Sequence, residues 1–374
     1  MSNQCILCGK CLEVCPLLNA TGREELGPRA KADLCRVLTE NPDRLSGEDA
    51  AQLAGLCLGC GRCKAVCSQG MDVPALVAGL RTAHPNFKSW LWKTWLILAK
   101  QLWSPGSKAA KLIPKQFQSE KLGPMLKMLA GLSGGPGLTP FLMPESFPDT
   151  WRGEKMLLFA GCTANYVQGR WLMTALRLLD GLGVEVLPGD FTCCGSGLKG
   201  AGFADQSQAM ARKNVAVWRK AGQPRMAVFC ATCLAGLAAY EGCFESEEEG
   251  KTWKESLFPL SSAMQGIAFM VSANVPERLG YHRPCHANGA DRDGVWLKAV
   301  LGGRLIAATD KQCCGFGGVM RLAAPGLTEP VNRKCWDALK GADMVLSGCS
   351  ACLAQLSATA DEGVEVGHWL EIIG

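Results

Sequence analysis

The sequence holds little that would support catalysis on its own. Only four of its 374 residues are histidine, and it contains no Ser/His/Asp arrangement, no phosphate-binding loop and no flavin motif. No apolar run reaches the ~20 residues that a membrane-spanning helix needs. Residues Met1-Ser2-Asn3-Gln4-Cys5 lack the basic segment and following apolar segment of a secretory signal, and no twin-Arg pair is present. The expectation is a cytoplasmic chain, in which thiols stay reduced. Its formal net charge of +5 leaves the cysteines uncounted. Metal-bound thiolates would offset much of that charge, so no nucleic-acid partner is expected.

Cysteine is what the chain has in excess, at 21 residues. In a reducing compartment, patterned cysteines read as metal ligands rather than cross-links. The length suits two to three domains, and 48% hydrophobic content is enough for their cores. The first pattern is Cys5-x-x-Cys8-x-x-Cys11-x-x-x-Cys15-Pro16. The second, Cys57, Cys60, Cys63 and Cys67, keeps its spacing with Ser68 in place of the proline. This is the bacterial ferredoxin run, in which the fourth cysteine ligates the other cluster of the pair. Cys5, Cys8, Cys11 and Cys67 are therefore assigned to one cubane [4Fe–4S] cluster, and Cys57, Cys60, Cys63 and Cys15 to a second. Zinc ribbons also use paired Cys-x-x-Cys, but the full run occurring twice favours iron–sulfur. Helices are expected at 29–38 and 48–56, giving an all-helical module over residues 1–85. Cys35, on the first of these helices, reads as a small buried apolar residue.

Residues 86–150 carry no ligand pattern. Ser89 to Trp103 contains four of the eleven tryptophans, interrupted by Lys93 and Lys100 seven residues apart. One helix with a basic face and a Trp/Leu face is expected there. It suits peripheral membrane contact on the inner face of the cell membrane, docking on a partner subunit, or packing on the protein's own core. Gly131 to Pro148 is rich in Gly and Pro and reads as irregular linker.

The remaining chain repeats itself. Cys162, Cys193-Cys194-Gly195 and Cys230-x-x-Cys233 recur as Cys285, Cys313-Cys314-Gly315 and Cys349-x-x-Cys352, at offsets of 123, 120, 120, 119 and 119 residues. We read a duplication over residues 151–250 and 251–374, each copy bearing five thiolates, one more than zinc takes. Strands at 155–160, 184–187 and 226–229 alternate with helices at 169–182 and 204–221. The second copy replays them as strands at 278–281, 304–307 and 344–346 and helices at 294–300 and 329–340. That alternation implies parallel sheets, with the cysteines beyond the strand ends. The fold class is thus a multidomain α+β chain, an all-α two-cluster module followed by duplicated α/β domains. Gly195-x-Gly197-x-x-Gly200 matches a dinucleotide fingerprint in spacing but lacks the acid about twenty residues later. Close approach of backbone to a cluster explains the glycines better.

On these ten cysteines the chain resembles the cysteine-rich CCG-domain family. With the N-terminal runs it resembles three related groups: glycolate/lactate oxidase iron–sulfur subunits, the C subunit of anaerobic glycerol-3-phosphate dehydrogenase, and the B and D subunits of heterodisulfide reductase. The resemblance implies one or two further [4Fe–4S] clusters, of a non-cubane type, held by the CCG cysteines. It implies an electron-transfer subunit that takes electrons from a partner FAD subunit of a 2-hydroxyacid dehydrogenase and passes them to quinone or another carrier. The alternative it implies is reduction of a disulfide at a non-cubane cluster, and the completeness of both Cys-x-x-Cys pairs in this chain adds weight to it. His282 and His286 flank Cys285 and read either as proton donors or as hydrogen-bond partners of a cluster sulfur. His84 and His368 read as packing or surface residues, Cys243 and Cys335 as structural, and Glu245 to Glu249 as a solvated loop.

Overall fold

The computed structural model describes residues 5–112, 126, 130, 137–287, 291–307 and 312–374. The chain forms two compact units. One comprises Met1–Ile97, Ser196–Ser207 and Thr309–Ala338, the other Leu98–Gly195, Gln208–Ala308 and Leu339–Gly374.

The described part of the first unit is helical. Pro28–Glu40 begins with a proline at its first turn and buries Ala32, Cys35 and Leu38, three residues apart on one face. Gly47–Ala54 is capped by Ser46, whose hydroxyl accepts from Asp49 N at 3.1 Å. Asp72 caps Val73–Ala83 in the same way, accepting from Ala75 N at 3.0 Å. Such a cap is worth ~1 kcal/mol. The inner faces of these helices join Cys63 in a small core with Val73, Val77 and Leu80. A second core gathers Leu17, Leu26, Met320 and Val331 around Cys313.

The Trp-rich stretch is two helices rather than one, Phe87–Ile97 and Ala99–Leu112, separated by a turn at Leu98. Lys93 and Lys100 thus fall on different helices. The first helix packs Trp92 and Leu96 against Ala201, Phe316 and Val319 within its own unit, and Trp92 Nε1 donates to Gly197 O at 3.2 Å. Its opposite face leaves Phe87, Trp90, Leu91 and Ile97 exposed. Among the described residues no helix is long and apolar enough to cross a membrane.

Among the described residues the second unit contains ten strands: β1 (Leu142–Ser146), β2 (Lys155–Phe159), β3 (Glu185–Val186), β4 (Arg225–Val228), β5 (Leu257–Pro259), β6 (Ala268–Val271), β7 (Leu279–Tyr281), β8 (Leu305–Ala307), β9 (Met344–Ser347) and β10 (Glu365–His368). The expected parallel sheets are present, in the orders β3-β2-β4-β5 and β8-β7-β9-β10, which share one topology. Each is one strand wider than read from sequence. β5 is a three-residue strand ending in proline, and β10 is short and half polar, so neither carries a clear apolar run. The supposed linker also contributes β1, which pairs antiparallel with β6 and bulges between Pro144 and Ser146. Its proline sits where a bulge tolerates it. The Gly/Pro-rich residues 131–136 lie outside the described residues.

Only Glu245 and Ser246 of the acidic run Glu245 to Glu249 lie in a loop; Glu247 to Glu249 are helical. Ser246 caps the helix Glu247–Ser256, accepting from Glu249 N at 3.1 Å. Glu249 meets Arg219 in a two-pronged ion pair at 2.5 and 2.6 Å. The Ser-x-x-Glu spacing is a helix-start signal that outweighs the acidity of the run. Beneath it Trp218 and Trp253, both fully buried, meet edge to face at 5.2 Å.

Candidate metal centres

In the first unit the two ferredoxin-type runs wrap around two cavities. Cys5, Cys8, Cys11 and Cys67 line one, with Cys63 at its edge. Cys15, Cys57, Cys60 and Cys63 line the other. Each cavity is thus lined by cysteines of one run together with the fourth cysteine of the other. Tight turns bring the thiols inward. Gly9 and Gly61, at matching places in the two runs, have φ of +80° and +73°, a region that a side chain would strain. Burial, followed by the neighbouring Cys57, pushes the Cys63 thiol up to about 12. Burial and then Cys5 raise Cys11. Thiols that oppose one another's ionisation in this way suit a polycationic guest, which would relieve the crowding.

The second Cys-Cys-Gly loop belongs to this unit as well. Cys313 and Cys314 are buried. After burial itself, Cys313 is the largest influence raising the Cys60 pKa. Arg62 Nη2 fastens the approach by donating to Gln312 O at 2.6 Å. Asn332 Nδ2, on the helix Pro325–Ala338, donates to Cys314 O at 2.9 Å.

The second unit assembles the first five-cysteine set. Cys193 contacts both Cys162 and Cys194, and Cys233 contacts both Cys194 and Cys230. Cys230 in turn meets Cys349, which meets Cys352. Seven thiols therefore form one continuous series. Cys230 and Cys349 are the N-caps of helices Ala231–Ala238 and Ser350–Thr359, so Cys233 and Cys352 fall in the first turns. Helix N-termini favour anions there. Gly161, at φ +74°, brings backbone so close to Cys233 that a Cβ would stand 3.0 Å from its sulfur.

The two Cys-x-x-Cys segments are laced together crosswise. Ala231 N donates to Gly348 O at 2.8 Å. Ser350 Oγ donates to Cys230 Sγ at 3.5 Å, and Thr232 Oγ1 lies 3.1 Å from Cys349 Sγ. Hydrogen bonds from Cys233, Cys349 and Ser350 bring the Cys230 pKa well below its ordinary value. The pairing with Cys230 pushes Cys349 up to about 12.

Cys285 is half-buried, 3.8 Å from His286 Nδ1. The same nitrogen lies 3.2 Å from Thr232 Oγ1, which links His286 to the Cys349 side of the series. His282 is buried, its carbonyl accepting from Ser347 Oγ at 3.0 Å. His84 is half-buried at a helix end. His368 is fully buried between Phe229 O, to which Nε2 donates at 3.0 Å, and Leu370 N, which donates to Nδ1 at 3.1 Å. Cys35 and Cys335 are buried and Cys243 is half-buried.

Sequence reasoning missed the asparagines. Asn214 Oδ1 accepts from Thr192 N at 2.9 Å, while its Nδ2 donates to Cys193 O at 3.1 Å and to Tyr240 Oη at 2.9 Å. It clamps the first Cys-Cys-Gly loop as Asn332 clamps the second. The signal was an asparagine in the middle of each following helix, at nearly the same distance from both loops.

Comparison with known proteins agrees with this layout. A 4Fe-4S dicluster domain matches residues 1–71, and a cysteine-rich domain (CCG) matches twice, at 156–238 and 279–357. The D subunit of the dihydromethanophenazine:CoB–CoM heterodisulfide reductase of Methanosarcina barkeri is 25% identical, covering 94% of this chain and 88% of its own. The glycolate oxidase iron–sulfur subunit of Escherichia coli is 22% identical, covering 99% and 92%. The B subunit of the fumarate reductase (CoM/CoB) of Methanothermobacter marburgensis is 24% identical, covering 99% and 71%. These relatives are all subunits of oxidoreductases. The chain therefore joins a 4Fe-4S dicluster domain to two cysteine-rich CCG domains, and over nearly its whole length it is similar to the glycolate oxidase iron–sulfur subunits and the heterodisulfide reductase D subunits.

Proposed function

We propose that this protein is the electron-transfer subunit of a flavin-dependent 2-hydroxyacid dehydrogenase, relaying electrons from a partner FAD subunit towards quinone or another carrier. The observation that carries the reading is the approach of Cys60 to Cys313 within one compact unit, which sets a ferredoxin-type site beside a Cys-Cys-Gly loop. Cys5, Cys8, Cys11 and Cys67 would hold one cubane [4Fe–4S] cluster, and Cys15, Cys57, Cys60 and Cys63 the other. The set Cys162, Cys193, Cys194, Cys230 and Cys233, all within one unit, would hold a further cluster. When bound, such clusters supply one-electron transfer. The chain's own residues do the rest. The cysteines would position the irons, burial of Cys63, Cys194, Cys230 and Cys233 would keep water from the inner ones while Cys5 and Cys8 stay exposed, and the asparagine clamps hold the Cys-Cys-Gly loops in place. The exposed face of Phe87, Trp90, Leu91 and Ile97, with Lys88 beside it, suits a partner subunit or the inner membrane surface.

A second reading, reduction of a disulfide, is favoured by one observation. Cys230 and Cys349, from the two Cys-x-x-Cys segments, are in contact, with Thr232 and His286 adjoining. That would put two electron sources and a proton-bearing group around one place. Anaerobic pull-down of the tagged protein from its host separates the readings. The first expects FAD on a co-purified subunit and 2-hydroxyacid-to-dye activity. An assembly without flavin that reduces disulfides from reduced viologen would refute it in favour of the second.

A further inference from the structure

Two buried cations flank the Cys15/Cys57/Cys60/Cys63 set, and among the described residues neither makes an ion pair with a carboxylate. Arg81 is 8% exposed. Its guanidinium donates to Ala54 O at 2.8 Å, Cys57 O at 2.9 Å and Gly200 O at 2.5 Å. Carbonyl dipoles solvate such a cation without neutralising it. Lys31 is 6% exposed, lines the same cavity as the four cysteines, and donates through Nζ to Leu26 O. The Cys5/Cys8/Cys11/Cys67 set has different surroundings. Cys5 and Cys8 are exposed, and so are Lys10 and Arg29, the cations lining that cavity. Water screens exposed charges far more than buried ones.

We propose that Lys31 and Arg81 set the reduction potential of the cluster held by Cys15, Cys57, Cys60 and Cys63, keeping it a competent acceptor for electrons that arrive at the exposed set. This rests on the reading that both sets hold [4Fe–4S] clusters. Accepting an electron adds a negative charge to the site, and removal from water makes that charge costly. On burial alone the inner site would be the poorer acceptor of the two. Two uncompensated cations at low effective dielectric offset that penalty. The inward step moves one electron, oxidising the outer site and reducing the inner one, with no bond made and no proton moved. Cys313 stands beyond Cys60, so the tuned site is also the one that meets the Cys-Cys-Gly loop.

The test is a mediated redox titration of the full-length, anaerobically purified holoprotein, followed by electron paramagnetic resonance. The inner site is identified as the signal removed by Cys60→Ser. Lys31→Met and Arg81→Gln are each expected to disfavour its reduction about tenfold, a fall of about 59 mV for one electron, with the outer signal unmoved. Arg81→Lys should restore most of the loss. Arg81 also ties three backbone segments together, so Lys31→Met decides the matter if Arg81→Gln does not fold. Unchanged potentials in Lys31→Met, or equal shifts of both signals, would overturn the proposal while leaving the sites intact. A wild-type protein with no signal sensitive to Cys60→Ser would overturn the site reading itself.

Discussion

Asn214→Ala tests how the first Cys-Cys-Gly loop is held. The side chain is fully buried and bonds Thr192 N, Cys193 O, Tyr240 Oη and, at 3.1 Å, Thr192 Oγ1. Truncation leaves those groups without their partner in a site closed to bulk water. Stranding one such group costs ~1–3 kcal/mol, and relaxation recovers part of the sum, so a loss on the order of 3 kcal/mol is expected. The cost falls on the loop, because Asn214 joins the helix Ala204–Lys220 to Cys193. Loop opening would then be roughly a hundredfold more frequent, at tenfold per 1.4 kcal/mol. The assay is iron release to a chelator under anaerobic conditions, where opening and closing are fast relative to capture. The iron of the Cys162/Cys193/Cys194/Cys230/Cys233 set should leave about a hundred times faster than in the wild type, and the ferredoxin-set iron at its usual rate. Release at the wild-type rate, or equal acceleration of all the iron, would refute the argument.

Three other outcomes are expected. Cys194→Ser should remove the iron of the first CCG set and leave both ferredoxin-type signals, since those ligands lie in the other compact unit; loss of all iron on elemental analysis would contradict this. Gly315→Ala should destabilise the first unit by about 2 kcal/mol in thermal unfolding, because φ is +78° and a Cβ would stand 2.8 Å from Thr328 O; an unchanged midpoint would show that the loop yields freely. Burial lowers the His368 pKa from 6.5 to about 4, so the unfolded chain binds this proton first as pH falls. The neutral imidazole's contribution is full above pH ~6.5 and is lost on the way down to ~4, at most about 3 kcal/mol. His368→Gln, which keeps a donor for Phe229 O, should flatten that limb in pH-dependent urea unfolding of the apoprotein. An acid limb identical to the wild type's would exclude His368 as its source.

The cysteine chemistry was legible because its spacing is local. Three thiols on one short loop and a Cys-x-x-Cys at a helix start are written within a few residues, and the repeat at 119–123 residues multiplied the signal. The strand–helix alternation was legible for the same reason, as with the helix Gly169–Gly181 and its buried Trp171, Thr174, Ala175, Leu178 and Leu179. What was not legible depends on distant partners. β1 is a strand because β6, more than a hundred residues later, pairs with it despite Pro144. The inner face of Phe87–Ile97 has no local sign of its occupants, Gly197, Phe316 and Val319. Nor does the sequence near Ser196–Ser207 or Thr309–Ala338 show that these segments fold with the N-terminal residues. The Asn214 and Asn332 clamps are single polar residues inside ordinary amphipathic helices, recognisable only once the loops they hold are in view. The Glu245–Glu249 turn was misread because charge density was weighed above the Ser246 cap.

The measurement that bears most directly on the protein as an iron–sulfur relay is metal and sulfide analysis of the anaerobic full-length chain, with Mössbauer spectra of ⁵⁷Fe-grown material. About eight iron atoms in two cubane environments from the ferredoxin sets, and about four more in a distinct environment for each filled CCG set, are expected, with equivalent sulfide. Stoichiometric zinc with little sulfide would contradict the relay and turn the same cysteines into structural ligands.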